Sequence, residues 1–308
     1  MVKLRKTHFY RAFGLNIHSD ICLPELVPDI SQSQADVHIR YGQGLENISS
    51  HASAGQNFIV KDDQVILRGD GFDLAVAGGE NLTIHCDNPA LHQEPIRLRI
   101  LGAGIGLLLQ QRGQLVLHGA TIVGQHGAAV VMGNSGDGKS TLTMQLAQRG
   151  YRLSGDDKCV ARIDEHDIFA VPCSPFIKVS KKLVAQMDVE RSQIHINSAL
   201  ENKVYVDLGS RFELGDVPII AGFVLGRAAR TSVKKLTQRQ AFDNFLEHNY
   251  RKTKFFKTGL QKTQFLHCHN MASSVPVYQY FRPLTDGHLH QPEPEFLDVL
   301  GGIIGNGR

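Results

Sequence analysis

Hydrophobic and polar positions change their rhythm several times along this chain. From Phe58 to His85, short β-rich runs (Phe58-Ile59-Val60, Val65-Ile66-Leu67, Phe72 to Val76, Leu82-Thr83-Ile84) alternate with polar or glycine-rich breaks at Lys61-Asp62-Asp63, Gly69-Asp70-Gly71 and Gly78-Gly79-Glu80-Asn81. That spacing predicts an antiparallel meander. The stretch before it, Tyr10 to Leu26, reads as extended and ends in the turn-like Leu23-Pro24-Glu25-Leu26. Residues 1 to about 88 are therefore expected to form a small β-rich amino-terminal domain, with a second domain over 89–308. Past Pro89 the period lengthens. Ile96, Ile100, Leu107 and Leu108 fall at helical spacing over Ile96 to Gln111, and Gly113 follows as a stop.

Two apolar β-type runs come next, Leu115 to Val123 and Ala128 to Met132, separated by Gly124-Gln125-His126-Gly127. They predict a hairpin or a tight strand connection. Leu142, Leu146 and Ala147 then mark a short helix face that Gly150 is placed to end at C′. Farther on, Val204 to Leu208 and Ile219 to Leu225 read as strands, and Phe242, Phe245, Leu246 and Tyr250 as an amphipathic helix. An order of strand, loop, helix and strand makes the fold class α/β.

Composition narrows the function classes. The 308 residues are 42% hydrophobic and 20% charged, ordinary for a globular protein and against a disordered or fibrous one. The longest nearly apolar stretch, Ile100 to Leu109, has ten residues, where a membrane span needs about 20. Neither a membrane protein nor a secretory signal is expected, and the five scattered cysteines, with no C-x-x-C pair, predict a reducing, cytoplasmic setting without disulfides. A net charge of +3 does not by itself imply nucleic-acid binding. Residues 227–262, however, hold ten Lys or Arg against only Asp243 and Glu247. Such a block is either a solvated face or a patch for an acidic partner.

The most specific signal is Gly133-Asn134-Ser135-Gly136-Asp137-Gly138-Lys139-Ser140, a full G-x-x-x-x-G-K-S followed by Thr141. Glycines free the backbone to fold into a nest of N–H groups aimed at phosphate oxygens, and the helix that follows adds its positive end. Lys139 supplies a charge for the outer phosphates of ATP and Ser140 a hydroxyl for Mg²⁺. Eighteen residues beyond Lys139 stands Asp157, beside Asp156, in Leu153-Ser154-Gly155-Asp156-Asp157. One carboxylate, Asp156, is the candidate Mg²⁺ ligand; the other, Asp157, is the candidate proton acceptor from an attacking hydroxyl. Repulsion between neighbouring acids raises one pKa, which suits that acceptor. His118, in Leu117-His118-Gly119, is expected on the strand that precedes the loop.

His118-Gly119, the loop from Gly133 to Thr141, Arg149-Gly150-Tyr151-Arg152-Leu153 and Asp156-Asp157 together resemble, over about 45 residues, the catalytic domain of the HPr kinase/phosphorylase family. The resemblance implies a P-loop kinase core of the HPr kinase/phosphoenolpyruvate carboxykinase type that binds ATP and Mg²⁺ and assembles as an oligomer. It also implies that Asp157 takes the proton of a serine hydroxyl, while His118 and Lys139 touch the transferred phosphoryl group. The family's Glu-x-Arg-Gly signature is missing; that stretch reads Phe169-Ala170-Val171-Pro172-Cys173-Ser174-Pro175-Phe176-Ile177-Lys178. Tyr10 to Leu15 and Leu23 to Leu26 instead resemble HPr-kinase-related proteins of peptide-modification systems, which implies as substrate the carboxy-terminal serine of a lasso-type precursor peptide. A small-molecule kinase of the same fold and a non-catalytic, nucleotide-gated binding protein are the alternatives.

Other residues carry weaker signals. Lys178, Lys203 and Arg211 are candidates for extra positive charge on a transferring phosphoryl group. Lys203 comes first among them because it precedes a strand. Phe255-Phe256 is a candidate for stacking or core packing. His267-Cys268-His269 and His288-x-His290 offer pairs of metal-type ligands on alternate strand positions, without an evident third.

Overall fold

The computed structural model describes residues 6–43, 57–61, 64–165, 167–187, 189–250, 260–283 and 291–307. The described residues fall into two compact units, one up to Gln114 with Leu260 and Gln261, the other comprising the remaining residues from Leu115 onward. Each is an assembly of strands and helices, and no helix among the described residues is long and apolar enough to cross a membrane.

The first unit holds strands β1 (His8–Ala12), β2 (Leu15–Ser19), β3 (Val27–Pro28), β4 (Val37–Tyr41), β5 (Phe58–Lys61), β6 (Gln64–Arg68), β7 (Asp73–Ala77) and β8 (Asn81–His85), in one sheet ordered β3-β1-β2-β4-β8-β7-β6-β5. The segment β5 to β8 is antiparallel throughout, as the alternation predicted. The β2–β4 and β4–β8 pairs are parallel, which no local pattern announces because parallel neighbours need no hairpin turn. Inward positions such as Ile17, Val37, Ile39, Leu82 and Ile84 are fully buried. The turn at Leu23 is held by the Tyr10 hydroxyl, which accepts from the Leu23 N–H at 2.7 Å. The helical stretch after Pro89 comprises α1 (Gln93–Arg99), a π-turn (Ile100–Gly104) and α2 (Ile105–Gln111). A Cβ on Gly104 would lie 2.7 Å from Leu74 Cδ2, so the glycine lets this helix seat on β7.

The second unit is built on a nine-stranded sheet. Its members are β9 (Leu115–Leu117), β10 (Gly119–Val123), β11 (Ala128–Met132), β12 (Arg152–Gly155), β13 (Cys159–Ile163), β14 (Ile168–Val171), a long β18 (Val217–Ala228), β19 (Ser232–Lys235) and β20 (Val277–Pro283). A small second sheet is formed by β15 (Phe176–Ser180), β17 (Lys203–Asp207) and the two-residue β16 (Ile194–His195). Helices α3 (Lys139–Gln148), α4 (Lys181–Gln186), α5 (Gln238–Glu247), α6 (Gln261–Ser274) and α7 (Pro294–Ile304) complete it. β10 and β11 form the expected hairpin, and β11 runs parallel to β18. All five residues of β11 are fully buried. That burial fixes the point at which the strand releases the glycine-rich loop.

Three local expectations change in the structure. The run Leu115 to Val123 is two strands, with His118 at the bend between them: β9 pairs with β13, while β10 pairs with β11 and β12. Gly119 permits the crossing, since a Cβ there would lie 2.6 Å from the Val131 carbonyl oxygen. Tyr250 lies past the end of α5, where its N–H donates to the Val116 carbonyl at 2.8 Å. His267 and His269 lie on α6, where residues two apart point to different sides; Cys268 between them is buried. Phe255, Phe256, His288 and His290 are outside the described residues.

Helix α3 ends as its sequence predicts. Arg149 is the cap, Gly150 at C′ has φ +97°, the Tyr151 N–H reaches the Leu146 carbonyl, and the Gly150 N–H reaches that of Ala147. This is a Schellman motif, with two terminal carbonyls satisfied by a left-handed residue. Gly150→Ala keeps the hydrogen bonds but forces a Cβ into that conformation. It is expected to cost about 1 kcal/mol and to lower the melting temperature by roughly 2–4 °C, as read by thermal denaturation.

Candidate functional site

Everything of chemical interest converges where β11 releases the loop. Gly133, Gly136 and Gly138 have φ of +154°, +93° and +83°. The last two lie in the left-handed region open chiefly to glycine, so the bends of this loop depend on them. Gly138 is also the amino-terminal cap of α3 and has no side chain to offer, which leaves the first-turn N–H groups without a side-chain cap. Lys139 opens the helix, and its Nζ folds back onto the carbonyls of Gly133 (2.7 Å) and Asn134 (3.1 Å). Partial burial lowers the Lys139 pKa, against the pull of Asp137, Asp156 and Asp157. Free N–H groups at a helix start beside an ammonium group make a seat for an anion.

The same cleft, of about 500 Å³, is lined by His118, Asn134, Ser135, Gly136, Gly138, Lys139, Ser140, Thr141, Asp156 and Asp157 together with Lys178, Ser180, Leu183 and Lys203. Of the residues singled out in the loop, Gly133 and Asp137 do not line it. Asp137 turns its carboxylate inward and accepts the Asn134 N–H at 2.6 Å. The acidic pair follows the end of β12 directly, so the strand carries both carboxylates to the cleft. Asp157 has φ +66°, a strained conformation that an aspartate tolerates better than most residues.

The two carboxylates differ sharply in electrostatics. Burial and the neighbouring Asp157 push Asp156 up to about 6, although Oδ2 accepts the Lys178 N–H at 3.1 Å. Burial acts upward on Asp157 too, but Lys158, Lys178, His118 and Lys203 together outweigh it and hold the group below its ordinary value. Its Oδ2 lies 3.7 Å from Lys158 Nζ and its Oδ1 lies 3.4 Å from His118 Nδ1. The raised member of the pair is thus Asp156, and not the proton-accepting Asp157 to which the sequence argument assigned it. The reason is the ring of positive groups on the Asp157 side. Lys158 is itself buried, with its Nζ 5.1 Å from the centre of the Tyr250 ring.

His118 lies 3.1 Å from the Asp157 carbonyl oxygen through Nδ1. A carbonyl can only accept, so this contact assigns the proton to Nδ1 and leaves Nε2 with a lone pair. Burial lowers the His118 pKa more than Asp157 raises it, so the ring is neutral near pH 7. In this state the histidine holds the backbone of Asp157.

A divalent cation fits the acidic side of the cleft. Asp156 is a carboxylate driven up by burial beside a second carboxylate, and a cation relieves that cost; the Ser140 side chain lines the same space. Among the described residues no cluster of three or more His, Cys, Asp or Glu side chains is placed to hold a metal. An ion at Asp156 and Ser140 would therefore complete its shell with phosphate oxygens and water, the habit of Mg²⁺.

Two arginines brace the loop, a role that the sequence did not signal for either, although Arg227 opens the basic block. Arg282, on β20 and 7% exposed, donates to the Asp137 carbonyl, and Arg227, on β18, donates to that of Gly136. A Cβ on Gly138 would lie 2.5 Å from Arg282 Nη2. These arginines are 145 and 91 residues from their partners; only the parallel alignment of β11, β18 and β20 could have found them. Arg211 has a different place from the one expected. It donates to the Ala147 carbonyl, at the carboxy-terminal end of α3 and away from the loop. Of the rest of the basic block, Arg230, Lys234, Lys235 and Arg239 are exposed and residues 251–259 lie outside the described residues.

No family model matches the chain, and no curated protein matches it. Among solved structures, that of the Hpr(Ser) kinase/phosphatase from Coxiella burnetii is similar over 55% of this chain and 85% of the other, at 10% sequence identity; its TM-score of 0.28 is too low for the likeness to carry an argument.

Proposed function

We propose that this chain is an ATP-dependent phosphotransferase that moves the terminal phosphoryl group onto a hydroxyl. The observation that carries the reading is the meeting, in one cleft, of a G-x-x-x-x-G-K-S loop at a helix start with a pair of aspartates of unequal acidity. The loop seats the phosphates: the N–H groups of Gly138, Lys139 and Ser140 at the start of α3 and the Lys139 ammonium take up their charge. Asp156 and Ser140 would hold Mg²⁺, whose chemistry is to neutralise charge on the phosphate oxygens. Asp157, ionised at neutral pH, accepts the acceptor's proton. A loose transition state asks of that group correct placement more than strong basicity. The new bond forms between the acceptor oxygen and the terminal phosphorus, the bond to the bridging oxygen breaks, and its electron pair leaves on ADP.

The proposed acceptor is a serine hydroxyl on a peptide, the carboxy-terminal serine of a ribosomal precursor of the lasso type. Support for that choice is the resemblance carried by Tyr10 to Leu15 and Leu23 to Leu26. The test is incubation with labelled ATP and candidate peptides, with metabolites in parallel, and location of the label. Label on a metabolite alone would move the acceptor to a small molecule; no acceptor-dependent ADP release with any of them would remove the kinase reading.

Three substitutions give graded outcomes. Asp157→Asn is expected to lower transfer by about 10²- to 10⁴-fold while ATP binding, measured by calorimetry, stays within a few-fold of the parent. Lys139→Met weakens both binding and transfer. Gly138→Val, which sets a branched side chain against Arg282 and strains a left-handed position, is expected to lower ATP affinity at least tenfold, on the order of 1.4 kcal/mol, with the circular dichroism spectrum unchanged.

A further inference from the structure

The cleft holds more positive charge than its own carboxylates use. Lys139, Lys178 and Lys203 line it together with Asp156 and Asp157. The Asp157 carboxylate already has Lys158 at 3.7 Å, and Lys139 is folded onto loop carbonyls. Among the described residues neither Lys178 nor Lys203 makes an ion pair. Both act on Asp157 from beyond ion-pair distance, and three lysines against two carboxylates in the lining leave a surplus of positive charge beside the anion seat, which points to a ligand that carries the balancing negative charge.

Their placement is a property of the small sheet. β15 and β17 are antiparallel, with Lys178 opposite Tyr205 and Ser180 opposite Lys203. Residues opposite each other share a face, so Lys178, Ser180, Lys203 and Tyr205 stand on one side, while Ile177, Val179, Val204 and Val206 are buried on the other. Slipping the register by one residue would bury both lysines, at a cost that the apolar face forbids. The Lys178 Nζ sits 5.8 Å from the centre of the Tyr205 ring. The Lys178 N–H is tied to Asp156, which links the strand to the acidic pair.

We propose that Lys178 and Lys203 are catalytic residues that contact the phosphoryl group during its transfer, stabilising the charge that spreads over its outer oxygens. The proposal rests on the phosphotransferase reading and adds the groups that act on the reacting atoms. Positive groups fixed before the reaction stabilise developing charge without reorganising.

The test separates ground-state binding from binding of a transition-state mimic, using ADP and Mg²⁺ with and without aluminium fluoride. In Lys178→Met and Lys203→Met, ADP affinity is expected to stay within about threefold of the parent. Retention of the ADP–aluminium fluoride complex and slow hydrolysis of ATP by water are each expected to fall by about 10²-fold. Lys178→Arg and Lys203→Arg should recover part of both, and melting temperatures should match the parent. Trapping of the aluminium fluoride complex by both Met variants as strongly as by the parent overturns the proposal. Failure of the parent protein itself to bind ADP or ATP overturns instead the reading on which the proposal rests.

Discussion

Charge that is half removed from water has to be compensated, and in this chain that single constraint organises the cleft. Asp157 is ionised because Lys158, Lys178 and Lys203 face it; Asp156 is held up to about 6 because burial and Asp157 act on it together. The pair divides into an acid that stays charged and one that gains most from a cation. The same bookkeeping explains why Lys139 folds onto carbonyls of its own loop. The loop's own oxygens satisfy the ammonium group.

The geometry that brings these charges together comes from apolar packing elsewhere. β11 is fully buried, paired antiparallel with β10 and parallel with β18, so its end point cannot drift. On the other side β12 pairs with β10 and ends at Gly155, immediately before the acids. Loop and acids are thus attached to strands that pair with the same third strand. A hairpin and a helix return place them side by side, although Lys139 and Asp157 are eighteen residues apart in the chain.

Much of this was legible because its signals are local. The loop glycines, the Schellman end of α3 and the hairpin before it are written within a few residues, in positions whose backbone conformation only certain side chains accept. The antiparallel part of the first sheet was readable for the same reason. What escaped was set by long-range pairing. The break at His118 depends on β9 and β10 choosing different partners, and the positions of Arg227 and Arg282 depend on two parallel strands far beyond the loop in the chain, Val217–Ala228 and Val277–Pro283. Arg211 could not be placed from its charge alone, because the two ends of α3 both offer polar backbone groups to an arginine. The inequality of the two acids was misassigned because the identity of the raised one depends on Lys158, Lys178 and Lys203, whose side chains converge only in the fold.

The arginines beneath the loop bear on what the cleft can do. A loop with two residues at left-handed φ would ordinarily sample many shapes, and a ligand that selected one would meet the entropic cost of ordering it. Arg282 and Arg227 bond to the carbonyls of Asp137 and Gly136 and leave the N–H groups of the loop to other partners. A carbonyl oxygen turned toward a guanidinium is also one turned away from a phosphate, since the peptide unit is planar and its N–H points the other way. Fixing the Asp137 carbonyl therefore directs the Gly138 N–H, so Arg282 aims that part of the anion seat without occupying it, whereas the peptide that Arg227 holds turns its Asp137 N–H onto the Asn134 carbonyl at 3.2 Å and closes the loop on itself.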